Sequence, residues 1–218
     1  MSASAHDLAR RGPLGPSRGP RGVVSEPPRV DPTVRSTADE IAALRRGDRL
    51  VTEEVLRALH DDVRLRLHRL LGPRADLDDA VQDALIEIAA ALPSFEGRST
   101  LRTFAARITV RVAYRYFGRP HHEPLELAAV ASGDDPEDRV ARRQTLRRMA
   151  RCLEKLSEKR RVAFVLCCVE GFSPREAAEI EGVSSLVMRT RLFQARGELE
   201  RLMKGDPFFD SMGERSEP

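Results

Sequence analysis

The amino-acid sequence predicts an all-α fold with two small helical domains joined by a flexible acidic linker. Three observations favour this fold class. Apolar residues recur every three to four positions over several long segments, as they do on the buried face of a helix. No segment shows the convincing alternation of apolar and polar residues that a half-buried strand requires. Glycine and proline lie where the periodic segments end.

Composition divides the 218 residues into five segments, and this length suffices for two small cores rather than one large one. Residues 1–40 are rich in Pro, Gly, Ser and Arg and show no helical period, which predicts a disordered N-terminal extension. Residues 41–117 form the first predicted domain, and residues 118–140, with two basic and six acidic side chains, are the predicted linker. Residues 141–204 form the second domain, with 15 basic and 8 acidic side chains, and residues 205–218 are an acidic tail. The net charge of +3 for the whole chain therefore conceals a net charge of +7 on the second domain.

Apolar periodicity predicts three helices in the first domain. The first runs from Val51 to Gly72-Pro73, the second from about Leu77 to Leu92, and the third begins near Ser99. Their predicted inner faces consist of Val55, Leu59, Val63, Leu67 and Leu70, then Val81, Leu85, Ile88 and Leu92, then Leu101, Phe104, Ile108 and Val112.

The second and third of these helices differ in the sign of their charge. Residues 75–97 contain six acids and no Lys or Arg, whereas residues 98–119 contain six arginines and no acid. One interpretation is that the two charged faces neutralise one another across a helical bundle. The other is that the arginines bind phosphate while the aromatic residues among them, such as Tyr114, stack on unpaired bases.

The second domain carries the pattern of a helix-turn-helix. Ser173-Pro174-Arg175-Glu176 has the form of a capping box, Gly182 supplies the backbone freedom of a tight turn, and Ser184 can cap a following helix. Two helices precede this motif, and their apolar positions are Leu146, Met149, Leu153 and Leu156, then Val162, Val165, Leu166 and Val169 before Gly171.

The helix that follows Ser184 has two predicted faces. Met188, Leu192 and Ala195 recur at helical spacing and are predicted to point inward. The outward face can then meet the edges of bases in a major groove through Ser185, Arg189, Thr190 and Phe193. Three flanking arginines, Arg175, Arg191 and Arg196, are interpreted as phosphate contacts. The structural alternative is an ordinary two-helix corner in a bundle.

Two blocks of sequence, in this order, are similar to the extracytoplasmic-function (ECF) sigma factors of bacterial RNA polymerase. The first block resembles region 2 of that family through Asp78–Leu85, Leu92–Gly97, Leu101–Phe104 and Arg107-Ile108. The second block resembles region 4 through Leu156–Arg161, Val169–Ser173 and Val183–Arg196. One departure is Glu181, which stands where members of the family usually carry Leu.

The resemblance implies a non-catalytic subunit that binds core RNA polymerase and directs it to promoter DNA. The acidic helix would bind the polymerase through Asp79, Gln82 and Asp83. The melted −10 element would be held by Phe95, Arg98, Ser99, Thr100, Arg107, Arg111 and Tyr114. The duplex −35 element would be read by Arg175, Ser185, Arg189, Thr190, Arg191, Phe193 and Arg196. The family also implies regulation by an anti-sigma factor. The remaining alternative is a helix-turn-helix transcription regulator that does not act as a polymerase subunit.

Other classes of function are disfavoured by the sequence. It contains no phosphate-binding glycine loop, nucleophile elbow or zinc-protease motif, so neither an enzyme nor a cofactor is expected. Cys152, Cys167 and Cys168 lack metal-ligand spacing and are interpreted as core residues, and His121-His122 lack a ligand set. With no apolar run long enough to span a membrane and no signal peptide, a cytoplasmic protein without membrane insertion is expected.

Overall fold

The structure is a computed structural model that describes residues 31–119 and 136–204, and both ranges are helical. The helices are α1 (Ala38–Arg45), α2 (Arg49–Leu71), α3 (Leu77–Ala91), α4 (Leu101–Phe117), α5 (Pro136–Lys155), α6 (Glu158–Phe164), α7 (Pro174–Glu181) and α8 (Ser185–Lys204). A 3₁₀ turn at Leu92–Ser94 follows α3, and a π-helical turn at Val165–Val169 follows α6. We call α1 to α4 the N-terminal unit and α5 to α8 the C-terminal unit. The predicted all-α fold is confirmed.

The long helix α2 organises the N-terminal unit. The carboxylate of Asp48 caps it by accepting hydrogen bonds from the backbone amides of Leu50 and Val51, at 3.0 and 3.3 Å. At its other end Gly72 has a φ of +75°, in the region that favours glycine. The five predicted inner positions of α2 are all buried, and α3 and α4 pack against this face.

The N-terminal unit begins earlier than the sequence predicts. Thr37 and Glu40 form a capping box that starts α1, with the Thr37 amide donating to the Glu40 carboxylate at 2.7 Å. The backbone oxygen of Pro32 also accepts a hydrogen bond from the amide of Arg102 on α4, at 2.9 Å. The prediction of a disordered extension over residues 1–40 is therefore wrong for residues 31–40, because a cap and a contact with α4 order them. Residues 1–30 lie outside the described part of the chain.

The predicted helix-turn-helix in the C-terminal unit is confirmed. In the capping box of α7, the Ser173 amide donates to the Glu176 carboxylate at 2.8 Å, and the Glu176 amide donates to the Ser173 hydroxyl at 3.2 Å. Gly182 ends α7 in the left-handed region, with a φ of +68°. The hydroxyl of Ser184 then accepts from the amide of Val187 at 3.3 Å and caps α8.

The linker prediction of 118–140 is wrong in its last five residues, because α5 begins at Pro136. Proline is favoured at the first position of a helix, where its missing N–H would have no intrahelical partner. The acidic residues Glu137 and Asp138, which resemble the linker in composition, belong to the first turn of α5. Residues 120–135 lie outside the described ranges.

A π-helical turn changes which side chains point inward after α6. The amide of Glu170 donates to the carbonyl of Val165 at 3.0 Å, five residues back instead of four. The wider turn directs Glu170 into the interior and leaves Val169 42% exposed. Val169 thus faces outward although it continues the apolar series of α6, because the regular helical period does not hold across this turn.

The described residues share one large apolar core instead of the two separate small cores expected. Side chains of α6, the π turn and α7 pack into the same cluster as those of α2, α3 and α4. A smaller cluster of Cys152, Leu156, Ala195 and Leu199 joins the end of α5 to α8. No helix among the described residues combines the length and apolar character needed to cross a membrane.

The capping box of α7 yields a stability prediction. Ser173→Ala removes the hydroxyl that accepts the Glu176 amide, and we expect it to lower the free energy of unfolding by about 1 kcal/mol. Hydrogen bonds from the Ser173 side chain and amide lower the pKa of Glu176. The contribution of this carboxyl is thus present above its unfolded pKa of about 4.3 and is lost as pH falls through its folded pKa.

Urea denaturation of wild type and Ser173→Ala at neutral and acidic pH measures this effect. The control is Glu179→Ala on the same helix, which removes only an exposed ion pair with Arg175 and should change stability by a few tenths of a kcal/mol. Equal stability of Ser173→Ala and wild type at neutral pH would contradict the prediction.

Candidate nucleic-acid interface

The outer face of α8 presents side chains that the fold does not use. Met188, Leu192 and Ala195 are buried, as predicted for the inner face. On the opposite side Arg189 and Thr190 are exposed, and the ring of Phe193 is 80% exposed. An aromatic side chain this exposed, beside an exposed guanidinium, marks a surface suited to a partner. The predicted orientation of this helix is therefore confirmed.

The three arginines predicted to contact phosphate lie in different environments. Arg175 is exposed and has only a loose 3.5 Å contact with Glu179. Arg196 is exposed, and its guanidinium contacts the sulfur of Cys168 at 3.4 Å. Arg191 is half-buried and donates to the carboxylate of Glu181 at 2.7 Å. Two of the three thus face solvent, while Arg191 is held by a carboxylate of its own unit.

The basic face of α4 is partly neutralised by α3. Arg111 and Arg115 both contact the carboxylate of Glu87, at 3.1 and 2.5 Å. Burial alone would raise the pKa of Glu87, but the hydrogen bonds from the two guanidinium groups outweigh it and lower that pKa. Charge neutralisation across the bundle, one of the two interpretations of the charged faces, is confirmed for these residues. Arg107, one turn earlier, is exposed.

The loop before α4 combines exposed and structural residues. Arg98 is exposed and Ser99 partly exposed. Phe95 is only 3% exposed and packs edge-on against Phe104 with ring centroids 5.2 Å apart. The hydroxyl of Thr100 accepts from the Thr103 amide at 3.2 Å and caps α4. Packing and capping engage these two side chains, and the DNA contacts expected of Phe95 and Thr100 stay predictions.

Tyr114 of α4 faces the C-terminal unit. Its hydroxyl donates to the Glu181 carboxylate at 2.9 Å, and its ring lies edge-on to Phe117 with centroids 5.6 Å apart. Burial, followed by the charge of Glu181, raises the pKa of the Tyr114 phenol far above its usual range. The phenol therefore remains a hydrogen-bond donor, and its ring is half-buried between the units.

The acidic helix α3 has both exposed and engaged polar groups. Asp79 and Gln82 are exposed, as a partner-binding role requires. Asp83 accepts a hydrogen bond from the hydroxyl of buried Tyr116 at 2.9 Å. Burial and then this bond raise the pKa of Tyr116. One oxygen of Asp83 thus fixes α4 to α3, and its role in polymerase binding stays a prediction.

An open apolar groove runs beside the exposed acidic residues. It lies between α2 and α3, and Leu56, Val81, Leu85 and Ile86 supply its apolar lining. Ile86 is 58% exposed, and Gln82 lies at the same groove. An apolar strip with a polar rim is the usual composition of a protein-binding surface.

The three cysteines do not share one environment. Cys152 is buried, as expected for a core residue, and Cys167 is half-buried, with its pKa raised to about 11 by burial. Cys168 is exposed, so the core prediction is wrong for it; the π turn places it on the outside. No group of three potential metal ligands occurs among the described residues, and His121-His122 lie outside them.

Sequence reasoning missed the buried charges between the two units. The Arg66 guanidinium contacts the Glu170 carboxylate through Nε at 2.8 Å and through Nη2 at 2.7 Å, and both side chains are almost completely buried. Arg161 donates to the carbonyl of Leu70 at 2.9 Å. A signal for Arg66 was present, because it lies on the apolar face of α2, three residues after Val63.

Comparisons with known proteins identify both units. Residues 55–121 match the family model for Sigma-70 region 2, and residues 146–199 match the model for Sigma-70, region 4. The chain is 34% identical over 146 residues to the RNA polymerase sigma factor CnrH of Cupriavidus metallidurans, an alignment that covers 62% of this chain and 76% of CnrH. It is 30% identical over 141 residues to the ECF RNA polymerase sigma-E factor of Escherichia coli, covering 59% of this chain and 74% of that protein.

A solved structure agrees with these matches. The sigma factor RpoE in complex with the anti-sigma factor NepR, from Bartonella quintana, superposes with a TM-score of 0.57 at 26% identity. The superposition covers 71% of this chain and 97% of the RpoE chain. Both units therefore have counterparts in one known protein.

The bond between Tyr116 and Asp83 yields a second prediction. Tyr116→Phe removes the hydroxyl donated to Asp83 at 2.9 Å, and we expect a loss of about 1 kcal/mol in the free energy of unfolding. Phe193→Ala is the control, because truncating a ring that is 80% exposed should change stability by less than about 0.5 kcal/mol. Urea denaturation compares the two, and a greater loss in Phe193→Ala would show that the exposed ring, not Asp83, supports the fold.

Proposed function

Because this chain belongs to the extracytoplasmic-function (ECF) family of RNA polymerase sigma factors, we propose that its two units divide promoter recognition between them. The chain is a transcription initiation factor and not an enzyme: it binds core RNA polymerase and directs it to promoters. Exposure, charge and position in the fold support a separate set of residues for each of these contacts.

The C-terminal unit binds the −35 element as duplex. Its helix α8 follows the left-handed Gly182 turn and presents Arg189, Thr190 and Phe193 on one exposed face, with Ser185 at its start. These side chains supply hydrogen bonds to base edges and an apolar contact for a thymine methyl group. The exposed guanidinium groups of Arg175 and Arg196 flank this face and suit phosphates. Arg191 joins them once it is released from Glu181.

The N-terminal unit binds the melted −10 element. Arg98 and Ser99 of the loop and Arg107 of α4 are accessible to a single strand, and Arg111 adds charge near Glu87. The ring of Tyr114 offers a stacking surface, which single-stranded DNA requires. Phe95 and Thr100 support this surface from within, by packing on Phe104 and by capping α4.

The polymerase binds the outer side of α3. Asp79 and Gln82 are exposed there, beside the apolar groove that contains Ile86. Asp83 contributes indirectly, because its bond to Tyr116 fixes α3 against α4. This surface is distinct from the basic face of α4, so the protein can hold polymerase and DNA at once.

The place of action and a regulatory partner follow from the family. We place the chain in the cytoplasm, where RNA polymerase and promoter DNA are found. The solved relative RpoE is bound to an anti-sigma factor, NepR, and we propose an anti-sigma factor for this chain as well. Co-purification of the tagged chain from its source cell, compared with a tag-only control, tests for this partner.

The observation that carries the function is the occurrence of regions 2 and 4, in that order, in one chain. Its test is transcription by purified core polymerase on fragmented genomic DNA, with and without the chain, followed by sequencing of RNA 5′ ends. Discrete start sites that depend on the chain are expected. If start sites are the same with and without the chain, the proposal is wrong.

Arg189 provides a prediction for the −35 contact. Arg189→Ala removes an exposed guanidinium from the reading face of α8, and we expect a loss of about 1–3 kcal/mol in promoter affinity of the holoenzyme. Arg201→Ala is the matched control, because it removes the same charge about three turns further along α8. Binding to a promoter from the transcription assay measures both, and equal losses would indicate bulk charge instead of base contact.

Asp79 provides a prediction for the polymerase contact. We expect Asp79→Lys to reduce the affinity for core polymerase roughly tenfold or more, since a charge reversal juxtaposes like charges across the interface. Glu200→Lys, an equal charge change on exposed α8, is the control. Pull-down of core polymerase and the thermal midpoint of each variant are measured together. A folded Asp79→Lys variant that retains wild-type affinity would remove α3 from the polymerase interface.

A further inference from the structure

One carboxylate joins two residues that the proposed function gives to DNA. Glu181, the last residue of α7, accepts a hydrogen bond from Tyr114 of the N-terminal unit at 2.9 Å. It also accepts one from Arg191 of α8 at 2.7 Å. The side chain of Glu181 is only 4% exposed, so neither partner shares it with bulk water. Tyr114, which we assign to the −10 strand, and Arg191, which we assign to a −35 phosphate, thus donate to the same carboxylate.

Tyr114 and Arg191 both act as hydrogen-bond donors to the carboxylate of Glu181. Burial and the neighbouring carboxylate raise the pKa of Tyr114, which keeps the phenol protonated. Burial raises the pKa of Glu181, while the bonds from Tyr114 and Arg191 oppose that rise. Both are charge-assisted hydrogen bonds to one carboxylate, stronger than neutral bonds of the same length. The Tyr114 bond joins the two units, and the Arg191 bond lies within the C-terminal unit.

Neighbouring contacts hold α7 and the π turn over α4. Arg102 of α4 donates to the backbone oxygen of Glu170 at 3.0 Å, and its guanidinium lies 4.6 Å from the centroid of the Phe172 ring. Arg66 binds the Glu170 side chain within the same interface. The ring of Tyr114 is half-buried against the C-terminal unit, so a DNA base has only part of the ring to stack on while α7 stays in place.

We propose that Glu181 is an internal competitor of promoter DNA: it holds the chain closed through Tyr114 until the two units separate, and it occupies Arg191 within its own unit until a phosphate displaces it. This inference rests on the proposed function, because that function assigns both residues to DNA. The carboxylate takes the place that a phosphate oxygen would take at Arg191, since both are anionic acceptors of the same donors. Opening frees Tyr114, and Arg191 exchanges one anionic partner for another when a phosphate reaches it.

The chain length between the units permits this opening. Residues 120–135, sixteen in number, connect the end of the N-terminal unit to α5, and a chain of that length spans at most about 55 Å. The reading face of α8 is exposed in the closed form, so Arg189 and Phe193 can meet duplex DNA first. Contact at the −35 element can therefore precede release of Tyr114 for the −10 strand.

The test compares Glu181→Gln with Glu179→Gln in the full-length chain without polymerase. Both variants remove one negative charge from α7, but Glu179 is exposed and pairs with Arg175 of its own helix at 3.5 Å. The probes are a fluorescein-labelled single-stranded DNA of mixed sequence, followed by anisotropy, and the radius of gyration from small-angle X-ray scattering. We expect Glu181→Gln to bind the strand about fivefold more tightly than wild type and to have a larger radius of gyration. Glu179→Gln should bind less than about twofold more tightly and keep the wild-type radius.

Tyr114→Phe is a second variant that keeps the stacking ring and removes only the hydroxyl donated to Glu181. It should shift both measurements in the same direction, and combining it with Glu181→Gln should add little, since both break one contact. Equal behaviour of Glu181→Gln and Glu179→Gln would overturn the proposal. A larger radius without tighter DNA binding would also overturn it, because Glu181 would then close the chain without competing.

The same preparations are added to core polymerase in the transcription assay. If the wild-type chain yields no chain-dependent start sites while Glu181→Gln still expands the protein, the proposed function fails and the closed form stands. If transcription is normal but the wild-type chain is already as extended as Glu181→Gln, the closed form fails and the proposed function stands.

Discussion

The buried ion pair between Arg66 and Glu170 is the constraint on which the relation of the two units depends. Both side chains are almost completely removed from water, and loss of Glu170 would remove the carboxylate that pairs with buried Arg66, at a cost of about 3–5 kcal/mol. Arg69 and Arg102 also approach the Glu170 carboxylate, each at 3.9 Å. The desolvation of both groups offsets most of their attraction. The pair therefore adds little net stability, and its main effect is to fix the position of the π turn relative to α2. With Glu170 fixed, Phe172 lies under Arg102, and α7 comes to rest on α4 beside Tyr114.

Local features of the fold could be predicted from sequence because they depend on neighbours along the chain. The capping box at Ser173, the left-handed turn at Gly182 and the inner face of α8 involve residues within four positions of one another. The exposed reading face of α8 follows from the same period, which is why Arg189 and Phe193 lie where they were predicted. Family resemblance supplied the order of the two units, which periodicity alone does not contain.

Contacts between distant segments were beyond these patterns. Arg66 and Glu170 are 104 residues apart. The helical period places Arg66 on the apolar face of α2, but it does not identify the distant carboxylate that pairs with it. A motif also locates a residue without giving the direction of its side chain. The motif that predicts partner-binding roles for Phe95 and Asp83 does not show that Phe95 packs on Phe104 or that Asp83 accepts a hydrogen bond from Tyr116. The motif likewise does not show that the Thr100 side chain caps α4.

The π-helical turn at Val165–Val169 has an evolutionary consequence. A π turn is an α-helical turn with one extra residue, and each residue of an α-helix rotates the chain by about 100°. Deleting one residue there would restore an ordinary helix and swing the acid at position 170 away from Arg66. A single insertion or deletion is thus sufficient to couple or uncouple the two halves of such a protein. In this chain the link between the two units thus depends on the length of one turn and not on any residue proposed to contact a promoter.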